Sequence, residues 1–198
     1  MAEADMNKCK VTRISSAATK SCHKKSVVVD MDLINAKAND ARQSDRKRDI
    51  HIFHTGDRDP LQRMLNAIQP GSYITPHRHH NPPKSESIVL LQGVLGYASF
   101  DDDGTVQEGD FILLDAKRGM YGLDIRPCVW HTIFALDLDT VVFEVKPGPY
   151  DSLSDKRFAP WAPPEGSPEA VKYLMELEDR FRSVWELPPR SWGGVAGQ

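Results

Sequence analysis

Between Gly71 and Lys146 the chain alternates short apolar runs with polar residues and turn formers, a texture of strands rather than helices. The candidate strands are "SYITPHRH", "ESIVLLQG", "GYASFD", "DFILLD", "YGLDI", "VWHTIFAL" and "TVVFEVK", and "DDDG" (Asp101 to Gly104) reads as a hairpin turn. A calcium loop at that turn is rejected, because Val106 occupies the sixth loop position, where the motif needs glycine. Many short strands in succession predict an antiparallel sandwich or barrel.

The flanks follow other periods. "SVVVD" (Ser26 to Asp30) predicts a short strand, and Asp30 then caps a helix to about Arg42 with Leu33, Ile34, Ala38 and Ala41 on one face. "DIHIFH" is strand-like. "DRDPLQRMLNAIQPG" predicts a short helix, with Asp59 as N-cap, Pro60 at its first position and Leu61, Met64, Leu65 and Ile68 as its stripe. After the proline-rich "FAPWAPPEGSP", "PEAVKYLMELEDRFRSVW" predicts a helix of about five turns. Its stripe, Val171, Leu174, Met175, Glu178, Phe181 and Trp185, is expected against the barrel or a neighbouring subunit, as in a homodimer. Residues 1–25 lack a hydrophobic period and carry Lys8, Lys10, Arg13, Lys20, Lys24 and Lys25, so a disordered basic tail is expected before a single domain over 26–198.

Composition narrows the class. The chain has 198 residues, 40% hydrophobic and 27% charged, enough for one domain with a real core. A net charge of -3 gives no basic field for nucleic acid. No apolar run approaches the roughly 18 residues of a membrane span, and no signal-peptide stretch opens the chain. Three cysteines, Cys9, Cys22 and Cys128, are too few and odd for a disulfide framework, which favours the cytoplasm.

The chemistry concentrates in "GSYITPHRHHNPPKSE". On an extended strand Tyr73, Thr75, His77 and His79 share one face, and His80 points the other way. Imidazoles two residues apart can chelate one ion. Glu86 opens the next strand after a Pro-Pro loop, so a hairpin can bring its carboxylate alongside. The only later histidine, His131, lies in another candidate strand. Three imidazoles and one carboxylate suit one divalent ion such as Zn, Fe(II), Ni, Cu or Mn.

These residues resemble the cupin superfamily. Its usual first motif reads glycine, five residues, His-x-His, three or four residues, glutamate, six residues, glycine. Here Gly71, five residues, His77-Arg78-His79, six residues, Glu86, six residues and Gly93 follow that order with an enlarged loop. "EGDFILL" matches the Gly-Asp step that leads into the second motif, usually Pro-x-Gly-x-x-His. This chain has Pro127-Cys128-Val129-Trp130-His131, one residue short, with Cys128 where glycine often sits. "DPLQRMLNAIQPGSYITPHRH", "VVFEVKPGPY" and "FAPWAPPEG" make the chain similar to the WbuC-type cupin-fold metalloproteins. That resemblance implies an all-β, double-stranded β-helix (jelly-roll) barrel with flanking helices, binding one metal through His77, His79, Glu86 and His131.

Alternation on "TVVFEVK" turns Glu144 and Lys146 inward together, where two charges must pair. Catalytic roles are expected for Tyr73 and Glu144 in moving protons and for Lys146 in steering an anionic group; His54 and Arg63 are candidates for the barrel mouth. The primary expectation is a metalloenzyme for a small polar molecule, such as a sugar derivative, with dioxygenase, isomerase and lyase chemistry all compatible. The alternative is a non-catalytic, metal-dependent small-molecule binding or accessory protein.

Overall fold

The computed structural model describes residues 10–22 and 25–193. In chain order the elements are β1 (Lys10–Ser15), β2 (Ala18–Cys22), α1 (Met31–Gln43), β3 (Arg48–Ile52), β4 (Leu61–Ile68), β5 (His77–Arg78), β6 (Glu86–Gln92), β7 (Val94–Phe100), β8 (Phe111–Asp115), β9 (Gly122–Ile125), β10 (Trp130–Ala135), β11 (Thr140–Pro147), β12 (Arg157–Phe158) and α2 (Pro168–Val184). One sheet runs β1-β2-β3-β4-β11-β6-β9 and the other β12-β5-β10-β7-β8. All pairings are antiparallel except β2 with β3. The two sheets face each other as a jelly-roll barrel flanked by α1 and α2, the cupin-type fold expected.

Strand alternation sorts the core into layers. Ile68, Ile88, Leu95, Ile133 and Val142 fill the space between the sheets. Leu65, Ala67 and Val141 point outward, against Ile34, Ala38 and Ala41 of α1. On the far side Phe111, Trp130 and Phe134 pack on Leu174, Leu177 and Phe181 of α2.

Several expectations are corrected. The segment predicted as a helix after Asp59 is β4, paired in full register with β11 and along five residues with β3. Gln62, Met64, Asn66 and Ile68 face the barrel interior while Leu65 and Ala67 face α1. A strand buried on both sides places apolar residues at spacings of three and four, which mimics a helical stripe. Asp59 caps no helix; its carboxylate accepts from the backbone N–H of Thr55 and Leu61. "SVVVD" forms no strand, although Asp30 does cap α1, accepting from the Leu33 N–H at 3.0 Å. Of "SYITPHRH" only His77 and Arg78 join a ladder.

The basic tail is not disordered over residues 10–22. These form the β1–β2 hairpin, and Ala18, Thr19 and Lys20 pair with Ile50, His51 and Ile52 of β3. The expectation for residues 1–9 and 23–24 lies outside the described residues. What fastens the hairpin is polar. His51 is fully buried, with ring nitrogens 2.8 Å from Thr19 Oγ1 and 2.7 Å from Ser21 Oγ. Lys37, also buried, donates to Thr19 Oγ1 at 3.0 Å and pairs with Asp40 and Asp49; Arg13 of β1 reaches the same two carboxylates. α1 therefore carries a charged residue within its buried face. On α2 the buried set is Ala170, Leu174, Leu177, Glu178, Phe181 and Arg182, one position round from the predicted stripe, and Val171 is half exposed. Arg182 Nε donates to Glu178 at 2.7 Å, which lets both charges sit inside.

Candidate metal centre and its cavity

Four side chains converge at one end of the barrel. His77 on β5 lies in register with His131 on β10, Glu86 opens β6 in the opposite sheet, and His79 follows β5. All four are buried, and one ligand atom from each falls within 4.8 Å of the others. The glycines of the motif explain the local path. Gly71 and Gly93 both take positive φ, and a Cβ at Gly93 would lie 2.6 Å from Thr140 Cα. Cys128 takes φ 68°, so the left-handed turn before His131 survives without glycine, and its N–H donates to the His79 carbonyl at 3.1 Å.

Each histidine is held by its other nitrogen. Nδ1 of His77 donates to the Thr75 carbonyl at 3.0 Å, that of His79 to Asp155 at 2.5 Å, and that of His131 to Val129 at 2.9 Å. With Nδ1–H committed to a carbonyl, Nε2 presents its lone pair to the centre, as metal-binding imidazoles do. Glu86 Oε2 sits 3.1 Å from His79 Nε2 and 3.3 Å from His131 Nε2. Acceptors so close require a positive charge among them, either protons or an ion, and the donor set suits a divalent metal. Burial and the nearby Lys156 and His131 charges push His77 well below the usual histidine range, so its ring is neutral and ready to coordinate. Burial opposes charge on Glu86, but His131 and His79 outweigh it and hold the carboxyl well below the ordinary range.

A cavity of about 430 Å³ opens from this cluster between the sheets. Glu144 and Lys146 line it, as alternation predicts. Lys146 Nζ lies 3.0 Å from Asp155 and 3.5 Å from Glu144, and Asn66 donates to Glu144. Burial and the Glu86 charge, opposed by Lys146, raise the Glu144 carboxyl to about 7. Burial works against the Lys146 ammonium, but Glu144, Glu86 and Asp155 raise its pKa above the lysine norm. His54 lines the cavity as well, its ring fixed against the Arg63 backbone, whereas the Arg63 side chain turns to Asp59.

Tyr73 is not among the cavity residues. Its hydroxyl donates to the Pro163 carbonyl at 2.8 Å and its ring packs on Tyr173 in the α2 layer. The chain leaves the strict alternation between Tyr73 and Thr75, because only His77 and Arg78 are laddered, so Tyr73 and His77 face different layers. His80 is exposed, beside Cys128 Sγ at 3.7 Å. Sequence reasoning missed Asp155, Lys156 and Lys84. Asp155 bridges the buried Lys84 at 2.9 Å and Lys146, and its carbonyl holds His79. The one signal for Asp155 and Lys156 is position, just before the "FAPWAPPEG" stretch, and for Lys84 its place in the loop between His79 and Glu86.

Fold and cluster together define a cupin-type barrel with a group that can hold a metal ion. Residues 29–111, less than half the chain, match a family model described as a domain of unknown function (DUF6016). No curated protein matches. Among solved structures, the chain is similar to the capsular polysaccharide assembling protein CapF from Staphylococcus aureus, at 22% identity and TM-score 0.45 over 55% of this chain and 28% of that one. It is also similar to a dTDP sugar isomerase from Desulfovibrio desulfuricans G20 (16% identity, TM-score 0.42, 55% and 67% covered). A cupin-2 domain protein of Rhodospirillum rubrum, Rru_A2000, gives 15% identity and TM-score 0.41, with 76% and 80% covered. The chain thus spans less than a third of CapF.

Proposed function

We propose that this chain is a WbuC-type cupin metalloenzyme of the cytoplasm, holding one divalent ion through His77, His79, Glu86 and His131 and acting on a small polar molecule in the adjoining cavity. The observation that carries this reading is the convergence of four buried donors whose three imidazoles are each oriented by a backbone carbonyl. Bound there, the ion supplies a Lewis acid, and a redox centre if it is iron. Glu144 is the proton carrier. Burial and the Glu86 charge raise its pKa toward neutrality, the direction that suits a carboxyl group which both gives and takes protons. Asn66 and Lys146 hold it in place. Lys146, tied to Asp155, serves as a fixed positive charge rather than a free anion hook. A positioned acid–base beside a Lewis acid favours isomerase or lyase chemistry over the dioxygenase alternative.

Metal analysis of protein purified without added metal tests the centre. One ion per chain is expected, and the paired substitution His77→Ala, His79→Ala is expected to abolish it. Unchanged metal content in that variant would sink the proposal. Glu144→Gln is expected to keep the ion.

A further inference from the structure

The enlarged loop between His79 and Glu86 carries a lysine into the protein interior. Lys84 is only 4% exposed. Its ammonium donates to the Asp155 carboxylate at 2.9 Å and to the Pro149 carbonyl at 2.7 Å. Lys146 takes the other oxygen of Asp155 at 3.0 Å. Two ammonium groups, one on each oxygen, fix the plane of that carboxylate. Burying a lysine this deeply is costly unless its partners are in place. A loop whose task is to join two strands has no need of that charge.

What Asp155 does with its backbone supplies the reason. Its carbonyl accepts from His79 Nδ1 at 2.5 Å, while its Oδ2 stands 3.9 Å from the same nitrogen, beyond hydrogen-bond reach. The proton of the ring therefore goes to the carbonyl. The carbonyls that hold His77 and His131 belong to Thr75 and Val129, each two residues back on the same stretch of chain. His79 differs, because its carbonyl comes from 76 residues away. Between Tyr150 and Arg157, among the described residues, the hydrogen bonds and ion pairs that reach the barrel all start from Asp155. Those of Asp151 with Leu153, Ser154 and Asp155 stay within the segment. Leu153 is 92% exposed. A segment fixed at one residue holds its carbonyl only as firmly as the carboxylate of that residue is held.

We propose that Lys84 is a positioning residue for the metal centre: by fixing Asp155 it sets the carbonyl that turns the His79 ring, Nε2 inward, toward His77, Glu86 and His131. This rests on the four-donor cluster being a metal site. Two readings test it on the full chain. In metal-free, isotope-labelled protein the imidazole N–H signals of His77, His79 and His131 are followed by NMR, with His79 assigned through His79→Gln. Lys84→Met is expected to shift the His79 signal or speed its exchange with water, and to leave those of His77 and His131 unchanged. Zinc affinity, measured by competition with a chromophoric chelator, is expected to fall about ten- to a hundredfold, the cost of losing an outer partner of a metal-binding histidine. Lys84→Gln keeps a donor for Asp155 without the charge. It is expected to move both readings in the same direction by less, and it carries the test should Lys84→Met not fold. A His79 signal that the substitution leaves unchanged, a loss of all three signals together, or an affinity equal to that of a zinc-binding wild type would each overturn the inference. The two ideas fail separately. Wild-type protein that binds no zinc, yet shows the Lys84-dependent His79 signal, removes the metal centre and spares Lys84 as the residue that positions His79. Zinc bound equally by wild type and Lys84→Met, with His79 undisturbed, does the reverse.

Discussion

Single residues carry most of the electrostatic burden. Asp155 neutralises two buried ammonium groups, Lys84 and Lys146. Asp155→Ala leaves them short of a counter-charge, and a loss of about 3–5 kcal/mol is expected by urea denaturation, the cost of breaking a buried pair. Acid stability follows from the histidines. Burial pushes His51 down to about 4 and lowers His54 and His77. Below pH 6.5 the unfolded chain binds protons at these positions and the folded chain does not, so stability falls as pH drops from 6.5 toward 4. Glu144 works the other way. Folded, it keeps a proton from 4.5 up to about 7 that the unfolded chain has released, so its contribution declines as pH rises through that window. Thermal melts of chelator-treated protein are therefore expected to fall from pH 6.5 to 4, and Glu144→Gln to make that fall steeper. Cys128 holds a left-handed backbone that glycine adopts without strain. Cys128→Gly is expected to raise the melting temperature and Cys128→Val to lower it. The cluster of His77, His79, Glu86 and His131 was legible in the sequence because residue type and spacing agree with a strand, a hairpin and a later strand. Asp155 and Lys156 were not, because they lie in an irregular segment whose place is set by the pairing of Arg157 and Phe158 with Arg78 and His77.

At the level of elements, pattern reading failed at β4, where apolar residues on both faces mimic a helical stripe, and at the fully exposed β1. Helix α1 was legible from Asp30 and the Ile34, Ala38, Ala41 stripe, yet the burial of Lys37 follows only from carboxylates on α1 and β3 that a periodicity cannot show. The β1–β2 hairpin was hidden for a related reason. β1 is exposed along its whole length, so it carries no alternation, and what holds the hairpin is the Arg13, Thr19, Ser21 and His51 network rather than an apolar face. Deleting residues 1–22 strips partners from buried Lys37, Asp49 and His51, at about 1–3 kcal/mol for each polar group left unsatisfied, and bares the edge of β3. A lower melting temperature and a greater tendency to aggregate are expected, with metal uptake per folded chain unchanged, since none of His77, His79, Glu86 and His131 lies on these strands.

Across the whole molecule, helix, sheet, sheet and helix form four layers, and the helices seal the outer faces of a barrel whose inner space is left partly open for the cavity. The barrel was legible from the run of short strands between Gly71 and Lys146. The extra strands that widen one sheet to seven were not, because β4 read as a helix and β1 and β2 as a tail. None of the described helices is long and apolar enough to cross a membrane. Phe181 has no exposed surface and joins α2 to Phe111 and Phe134. Phe181→Ala is expected to cost about 3–5 kcal/mol, read as a shift in the denaturation midpoint.

The carbonyl of Asp155 steadies His79, while the next residue, Lys156, reaches into the cavity. One short segment therefore touches the His77, His79, Glu86 and His131 cluster at one end and the cavity at the other. An occupant that orders this segment is expected to slow release to a chelator of an ion loaded into the cluster, and such an ion to tighten the occupant by the same factor. Residence time of an added metal ion, followed with and without a cavity ligand, would then report on the cavity without any knowledge of the reaction.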